Sequence, residues 1–203
     1  MASIYDLKPK FQGLLRPLVT ALAKGGVTAN QVTLLACLLS ILTGTLLYCW
    51  PTARWALLLV PAVLFSRMAL NAVDGMLARE HGQKSRLGAV LNELTDVISD
   101  AALYLPFAVV PGLDPRLVII AVILAIIGEM TGVVAIQIGA ERRYDGPMGK
   151  SDRAFMFGLI ALLLGLGKEP GWWLTAFQYL IVILGVVTII NRSRRALATE
   201  VTR

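Results

Sequence analysis

The 203-residue chain is 57% hydrophobic and only 16% charged, with a mean hydropathy of +0.71, whereas globular chains carry about 25% charged and 45–50% apolar residues. The apolar excess lies in long runs, which excludes a secreted disulfide scaffold, a disordered tail and an ordinary cytosolic enzyme. Its 19 Lys and Arg against 13 Asp and Glu give a net charge of +6; in a chain of apolar runs that excess sets orientation in a bilayer and is no sign of nucleic-acid binding.

Along residues 1–24, Phe11, Leu14, Leu15, Leu18, Val19 and Leu22 recur at helical spacing, with Lys8, Lys10 and Arg16 among them. The pattern predicts an amphipathic helix lying on the membrane surface. It lacks the continuous apolar run and small-residue cleavage site of a signal peptide. Six apolar stretches follow, at 32–50, 55–77, 88–111, 116–140, 152–167 and 171–190. Each is near the roughly 20 residues that cross about 30 Å of hydrocarbon. Lipid offers the backbone no hydrogen-bond partner, so the stretches are expected to be helices. The breaks carry turn chemistry at Pro51-Thr52, Pro111-Gly112, Asp145-Gly146-Pro147 and Glu169-Pro170-Gly171. The expected fold is an all-α integral membrane protein, six transmembrane helices preceded by the interfacial helix, in a single domain over 1–203. Cys37 and Cys49 share one apolar run, twelve residues apart, and suggest neither a disulfide nor a zinc site.

Basic residues divide unevenly between alternate connections. The N-terminus, the second and fourth loops and the tail hold fifteen of them, while the other side has Arg54, Arg116 and Lys168 alone. This bias predicts that both termini face the cytoplasm. Trp50, Trp55, Trp172 and Trp173 flank the breaks on the other side and are expected at the lipid–water interface. Gly132, Gly139, Gly158 and Gly165 read as close helix-packing positions, and His81 as a solvated loop residue.

Charges inside apolar stretches cost about 2.5–3.5 kcal/mol even on lenient scales, so they mark function. Asn71 and Asp74 are three residues apart on the second stretch, and Asn92, Asp96 and Asp100 are four apart in succession on the third. Each set shares one helix face. A short connection makes the two helices antiparallel neighbours. At 1.5 Å per residue, Asp74 stands roughly 7 Å above Arg79 and Asp96 roughly 12 Å above Gly88, so the two oxygen-bearing faces meet at similar depth. Carboxylate and amide oxygens without Cys or His suit Mg²⁺ or Mn²⁺. Gly75 and Gly88 leave room for a phosphate or nucleotide near the backbone.

The series Asp74-Gly75-x2-Ala78-Arg79-x8-Gly88-x3-Asn92-x3-Asp96 resembles the CDP-alcohol phosphotransferase signature, D-x2-D-G-x2-A-R-x8-G-x3-D-x3-D, over some 26 residues counted from Asn71. Thr28-Ala29-Asn30-Gln31-Val32-Thr33 is similar to the family's T-P-N-x-[IV]-T, with Ala29 for proline. The resemblance implies displacement of CMP from a CDP-linked donor, such as CDP-diacylglycerol, by an alcohol. It implies Asp74 as metal ligand, Asp96 as ligand and general base, and Gly75, Ala78, Arg79, Ser85 and Gly88 as the CMP pocket. It further implies one or two Mg²⁺ or Mn²⁺ ions, a homodimer, and phospholipid synthesis. Asn71 and Asn92 stand where the family has aspartates, and each removes one negative charge from the metal site. Three readings follow: a single-metal enzyme, a two-metal enzyme of weak affinity, or a homologue that binds without turnover. A bacterial inner-membrane branch resembles this chain in both asparagines and in Gly146-Pro147-x-Gly149-Lys150-Ser151-Asp152-Arg153-Ala154.

Arg67, Asp100 and Glu129 sit at one depth, and Arg67 is expected to pair with Asp100 or Glu129 as a structural neutralisation. Lys150 and Arg153, with Arg142 and Arg143, are expected to form an anion pocket. The family resemblance points it at a phosphorylated polyol such as glycerol 3-phosphate or inositol phosphate. A small proton-coupled transporter is the rival class, but the polar residues crowd at one end of the helices without a trail to the other.

Overall fold

The computed structural model describes the backbone of residues 4–198 and the side chains of residues 11–198. Arg203 lies outside the described residues, and so do the first three residues of the N-terminal segment. The described chain is all helical: α1 (Ile4–Lys24), α2 (Ala29–Cys49), α3 (Arg54–Glu80), α4 (Arg86–Tyr104), α5 (Pro115–Val134), α6 (Lys150–Gly165) and α7 (Trp172–Leu197), with 3₁₀ turns at Leu105–Val109 and Ala135–Ile138. The helices fall one for one on the N-terminal segment and the six apolar stretches.

Four of them are long and apolar enough to cross a membrane: Ala29–Cys49, Arg54–Glu80, Pro115–Ile138 and Trp172–Leu197. The other two stretches form shorter or more polar helices. α6 has 16 residues, about 24 Å of rise against about 30 Å of hydrocarbon. α4 carries Arg86, Glu93, Asp96 and Asp100 in its 19 residues. It also stops at Tyr104, short of the expected 111, because Pro106 enters the next turn without an N–H to donate and the chain tightens into a 3₁₀ turn.

The contacts group the chain into two compact units, Met1–Leu42 with Ala62–Ser99, and Thr43–Pro61 with Asp100–Arg203. In the first, Val19 of α1 joins a core with Ala29, Val32, Val73, Met76 and Leu77, and Leu15 and Leu22 pack against it. The apolar stripe of α1 therefore splits, since Leu14 and Leu18 remain 79% and 52% exposed. The start of α2 is closed by a reciprocal pair: Gln31 N–H donates to the Thr28 hydroxyl at 3.3 Å and Thr28 N–H donates to Gln31 Oε1 at 2.9 Å. This is a capping box, which satisfies two of the amides a helix N-terminus leaves open. Gln83, from the loop before α4, accepts the Ala29 N–H at 2.7 Å and donates to the Val27 carbonyl at 3.3 Å.

In the second unit, Asp114 caps α5 by accepting the Arg116 N–H at 2.8 Å. Buried Gln178 of α7 holds the same residue at both backbone groups, at 3.1 and 2.9 Å. Phe157 stacks on Tyr104 at 4.3 Å and meets Phe107 edge-on at 5.1 Å. Trp50 and Trp55 pair at 5.7 Å and Trp172 is 83% exposed, but Trp173, about 100° further round the helix, is buried and donates to the Glu169 carbonyl at 3.1 Å. Among the glycines expected to pack helices closely, Gly165 does so, a Cβ there coming 2.7 Å from Leu58. Gly132 instead admits the Arg143 backbone.

Gly44 is the tightest position, since a Cβ there would overlap the Ala102 carbonyl oxygen. Gly44→Ala is expected to lower stability by at least about 1–3 kcal/mol through overpacking. Gly13→Ala, in open space on α1, should be neutral or stabilising by about 0.5–1 kcal/mol. Thermal unfolding of both variants in one detergent checks the contrast.

Candidate active site

The motif residues lie on the end of α3 and the start of α4, within the first unit. Asp74 is buried, 6% exposed, and its Oδ2 accepts the hydroxyl of buried Thr33 at 2.8 Å. Arg67 is also buried; its Nη2 donates to the Asp96 carbonyl at 3.2 Å and stands 3.8 Å from Asp96 Oδ1. The Asp96 side chain keeps 25% exposure, Asn71 is half-buried and Asn92 exposed. No three of His, Cys, Asp or Glu among the described residues group to hold a metal, and two motif positions, 71 and 92, carry amides. The remaining donors are all oxygens, so the set fits a hard divalent cation at reduced negative charge.

The two motif glycines make room for side chains. A Cβ on Gly75 would come 2.9 Å from Arg79 Nη2, and one on Gly88 would come 2.9 Å from Asn30 Oδ1 and 3.0 Å from Ser85 Oγ. Arg79 thus lies against the bare Gly75 backbone. Ser85 is the N-cap of α4, its hydroxyl accepting the Gly88 N–H at 2.9 Å. Ala78 packs against the core of this unit, and His81 is exposed.

The second unit gathers the basic residues around two acids. Buried Arg153 donates to Asp100 Oδ2 from Nη2 at 2.8 Å and from Nε at 3.1 Å, to Glu129 Oε1 at 3.0 Å and to the Met148 carbonyl at 3.2 Å. Glu129 also faces Arg142 at 3.3 Å and Arg192 at 3.4 Å. Arg192 is 1% exposed and donates to the Gly128 and Asp145 carbonyls. Three guanidiniums against two carboxylates leave this cluster with a surplus positive charge. Lys150, half-buried, opens α6.

The connecting loop is tied to α7. Met148 N–H donates to the Thr188 hydroxyl at 2.9 Å, and Gly146, at φ +122°, lies where a Cβ would come 2.7 Å from the Thr188 Cα, so only glycine fits there. Arg143 and Arg195 donate to Asp145 at 2.8 and 2.6 Å. Burial pushes the Asp145 carboxyl up, but the hydrogen bond and charge of Arg143, joined by Arg195, outweigh it and hold the group below the ordinary carboxylate range. A carboxylate depressed in the folded state adds stability that is complete above its unfolded value and is lost as pH falls through the folded one. Amide protection in loop 139–149, taken relative to the intrinsic exchange rate, is therefore expected to fall on acidification below about pH 4, and Asp145→Asn should remove that pH dependence.

In the sequence Arg192 counts only as one of the basic residues of the tail, and Thr33 and Asn30 stand only within the Thr28–Thr33 motif. The spacing Ile181, Gly185, Thr188, Arg192 on one face of α7 would have marked Arg192 as inward, and T-x-x-Q at Thr28 marks the capping box beside Thr33.

Oxygen-donor residues thus stand on two successive helices of the first unit, and arginines gather around Asp100 and Glu129 in the second. A family model described as CDP-alcohol phosphatidyltransferase matches residues 26–192, and the chain belongs to that family of enzymes. It is 49% identical over 195 residues, 96% of each chain, to the inner membrane protein YnbA of Escherichia coli K12. Together with the four long apolar helices this makes it a multi-pass membrane protein. It is 26% identical to the phosphatidylinositol phosphate synthase of Mycolicibacterium smegmatis, over 95% of this chain and 88% of that one. In fold it is similar to the Mycobacterium tuberculosis phosphatidylinositol phosphate synthase. The TM-score is 0.75 with CDP-DAG bound, at 21% identity over 90% of this chain and 92% of that one. With manganese and citrate it is 0.76, at 22% identity over 90% and 88%.

Proposed function

We propose that the chain transfers a phosphatidyl or related phospho-alcohol group from a CDP-linked lipid, such as CDP-diacylglycerol, to an alcohol acceptor that carries its own phosphate, releasing CMP. The observation that carries this reading is the pair Asp74 and Asp96 on the signature spacing, one held by Thr33 and the other beside Arg67. Asp96, the more exposed carboxylate, takes the proton of the acceptor hydroxyl. The hydroxyl oxygen then bonds to the lipid-side phosphorus, and the bond from that phosphorus to the bridging oxygen of CMP breaks. Asp74, Asn71, Asn92 and Asp96 would hold Mg²⁺ or Mn²⁺, which when bound offsets the negative charge of the diphosphate; two amides in place of carboxylates favour one ion over two.

Arg79, Gly75, Ala78, Ser85 and Gly88 form the CMP-binding stretch. Lys150, Arg153, Arg142 and Arg143 hold the acceptor phosphate, which the surplus positive charge around Glu129 supports. The relatives named phosphatidylinositol phosphate synthase favour a phosphorylated polyol. The protein works as a homodimer in a bacterial inner membrane, with α1 at the interface, both termini cytoplasmic, and all 203 residues forming one domain.

The test is CMP release from CDP-diacylglycerol with a panel of alcohols and polyol phosphates, with and without Mg²⁺ or Mn²⁺. Metal-dependent release with one acceptor supports the reading and names the substrate. Asn71 and Asn92 favour a second reading, a homologue that binds CDP-lipid without turnover. Retained binding with no release from any acceptor is its signature.

A further inference from the structure

The proposed reaction makes no use of an open pocket of about 210 Å³ in the second unit, bordered by the turn after α2, the turn before α5 and the turn before α7. Its wall is apolar at Leu57, Val110 and Leu164, and its charged residues are Arg54, Lys168 and Glu169. Only Arg54, Arg116 and Lys168 carry positive charge in the connections on that side. Two of these three line one pocket, although membrane proteins deplete Lys and Arg there.

Both cations are exposed at the pocket mouth. The Arg54 guanidinium lies flat along Gly167, where a Cβ would come 3.1 Å from Nη2 and 3.2 Å from Cζ, and φ of +92° excludes other residues. Lys168 Nζ sits 4.9 Å over the ring of Trp173, a cation–π contact that fixes the ammonium while leaving its N–H groups to donate. Arg54 makes neither a hydrogen bond nor an ion pair among the described residues, so its fork is open to a ligand. Two cations and Glu169 leave one net positive charge, which matches a single phosphodiester. The Trp50–Trp55 pair beside Arg54 belongs at headgroup depth.

We infer that this pocket is a binding site for an anionic phospholipid, its phosphodiester gripped by Arg54 and Lys168 and its acyl chains leaving along the apolar wall. The site stands apart from the transfer reaction and does not depend on it. The experiment is native mass spectrometry of the full chain released from nanodiscs of phosphatidylglycerol or of phosphatidylcholine. The expected result is one tightly retained phosphatidylglycerol per chain, with little phosphatidylcholine.

Arg54→Gln with Lys168→Gln should weaken retention at least about tenfold, since each interfacial cation contributes appreciably to anionic-lipid binding. Glu169→Gln should strengthen retention, a gain that a misfolded protein would not show. Equal retention of both lipids, or unchanged retention in both variants, overturns the inference. Displacement of the lipid by glycerol phosphate at matched concentration would make it a soluble-anion site and overturn it as well.

Discussion

Asp96→Asn is expected to reduce metal-dependent CMP release by about two to four orders of magnitude, the range that a positioned general base contributes. The substitution keeps the shape of the side chain and the Arg67 bond to the residue 96 carbonyl, and gives up only the looser 3.8 Å ion pair between Arg67 and the carboxylate. The fold should therefore survive, which an unchanged thermal midpoint would verify. Asp74→Asn should act differently, raising the metal concentration needed for half-maximal release, because it removes a carboxylate that Thr33 orients. Conversely, Asn71→Asp with Asn92→Asp should lower that concentration by restoring two negative charges. If Asp96→Asn releases CMP at the wild-type rate, residue 96 is not the base.

Arg153→Met is expected to destabilise the protein by about 3–5 kcal/mol, the cost of leaving a buried ion network without one partner. Asp100 and Glu129 both rely on this guanidinium, at 2.8 and 3.0 Å. Arg153→Lys should fall between, since one ammonium cannot reproduce the fork that meets Asp100 from two nitrogens. Adding Asp100→Asn to Arg153→Met should recover part of the loss, whereas Glu129→Gln alone should be costly because Arg142, Arg153 and Arg192 then face one another. Unfolding of the set in detergent measures these differences. Stability of Arg153→Met equal to wild type would mean that Arg142 and Arg192 suffice to neutralise the acids.

The helices were legible because several begin at Pro, Gly or a capping residue, as at Thr28, Ser85, Asp114-Pro115, Gly149 and Gly171, and because apolar runs in lipid have little alternative to helix. The candidate site was legible where spacing along one helix decides geometry, as for Asn71 with Asp74 and Asn92 with Asp96. Partners that come from distant segments were not. The Arg153 guanidinium is engaged by Asp100, 53 residues earlier in the chain, a pairing that no local pattern encodes. Trp173 and Trp172 look alike in sequence, and only the rotation of α7 separates the inward residue from the outward one. The end of α4 at Tyr104 depended on how Pro106 is accommodated, which hydropathy does not register.

The bond from Ala29 to Gln83 bears on how the chain is made. The amide at the head of α2 is satisfied by a side chain 54 residues later, and Asn30 beside it meets Gly88 of α4. At about 5–20 residues per second, the ribosome supplies Gln83 roughly 3–11 s after Ala29. During this interval α2 inserts with its first turn served by water or lipid headgroups. It is completed only when the hairpin carrying Asp74 and Asp96 arrives, so the membrane anchor and the chemistry-bearing turn mature as one event.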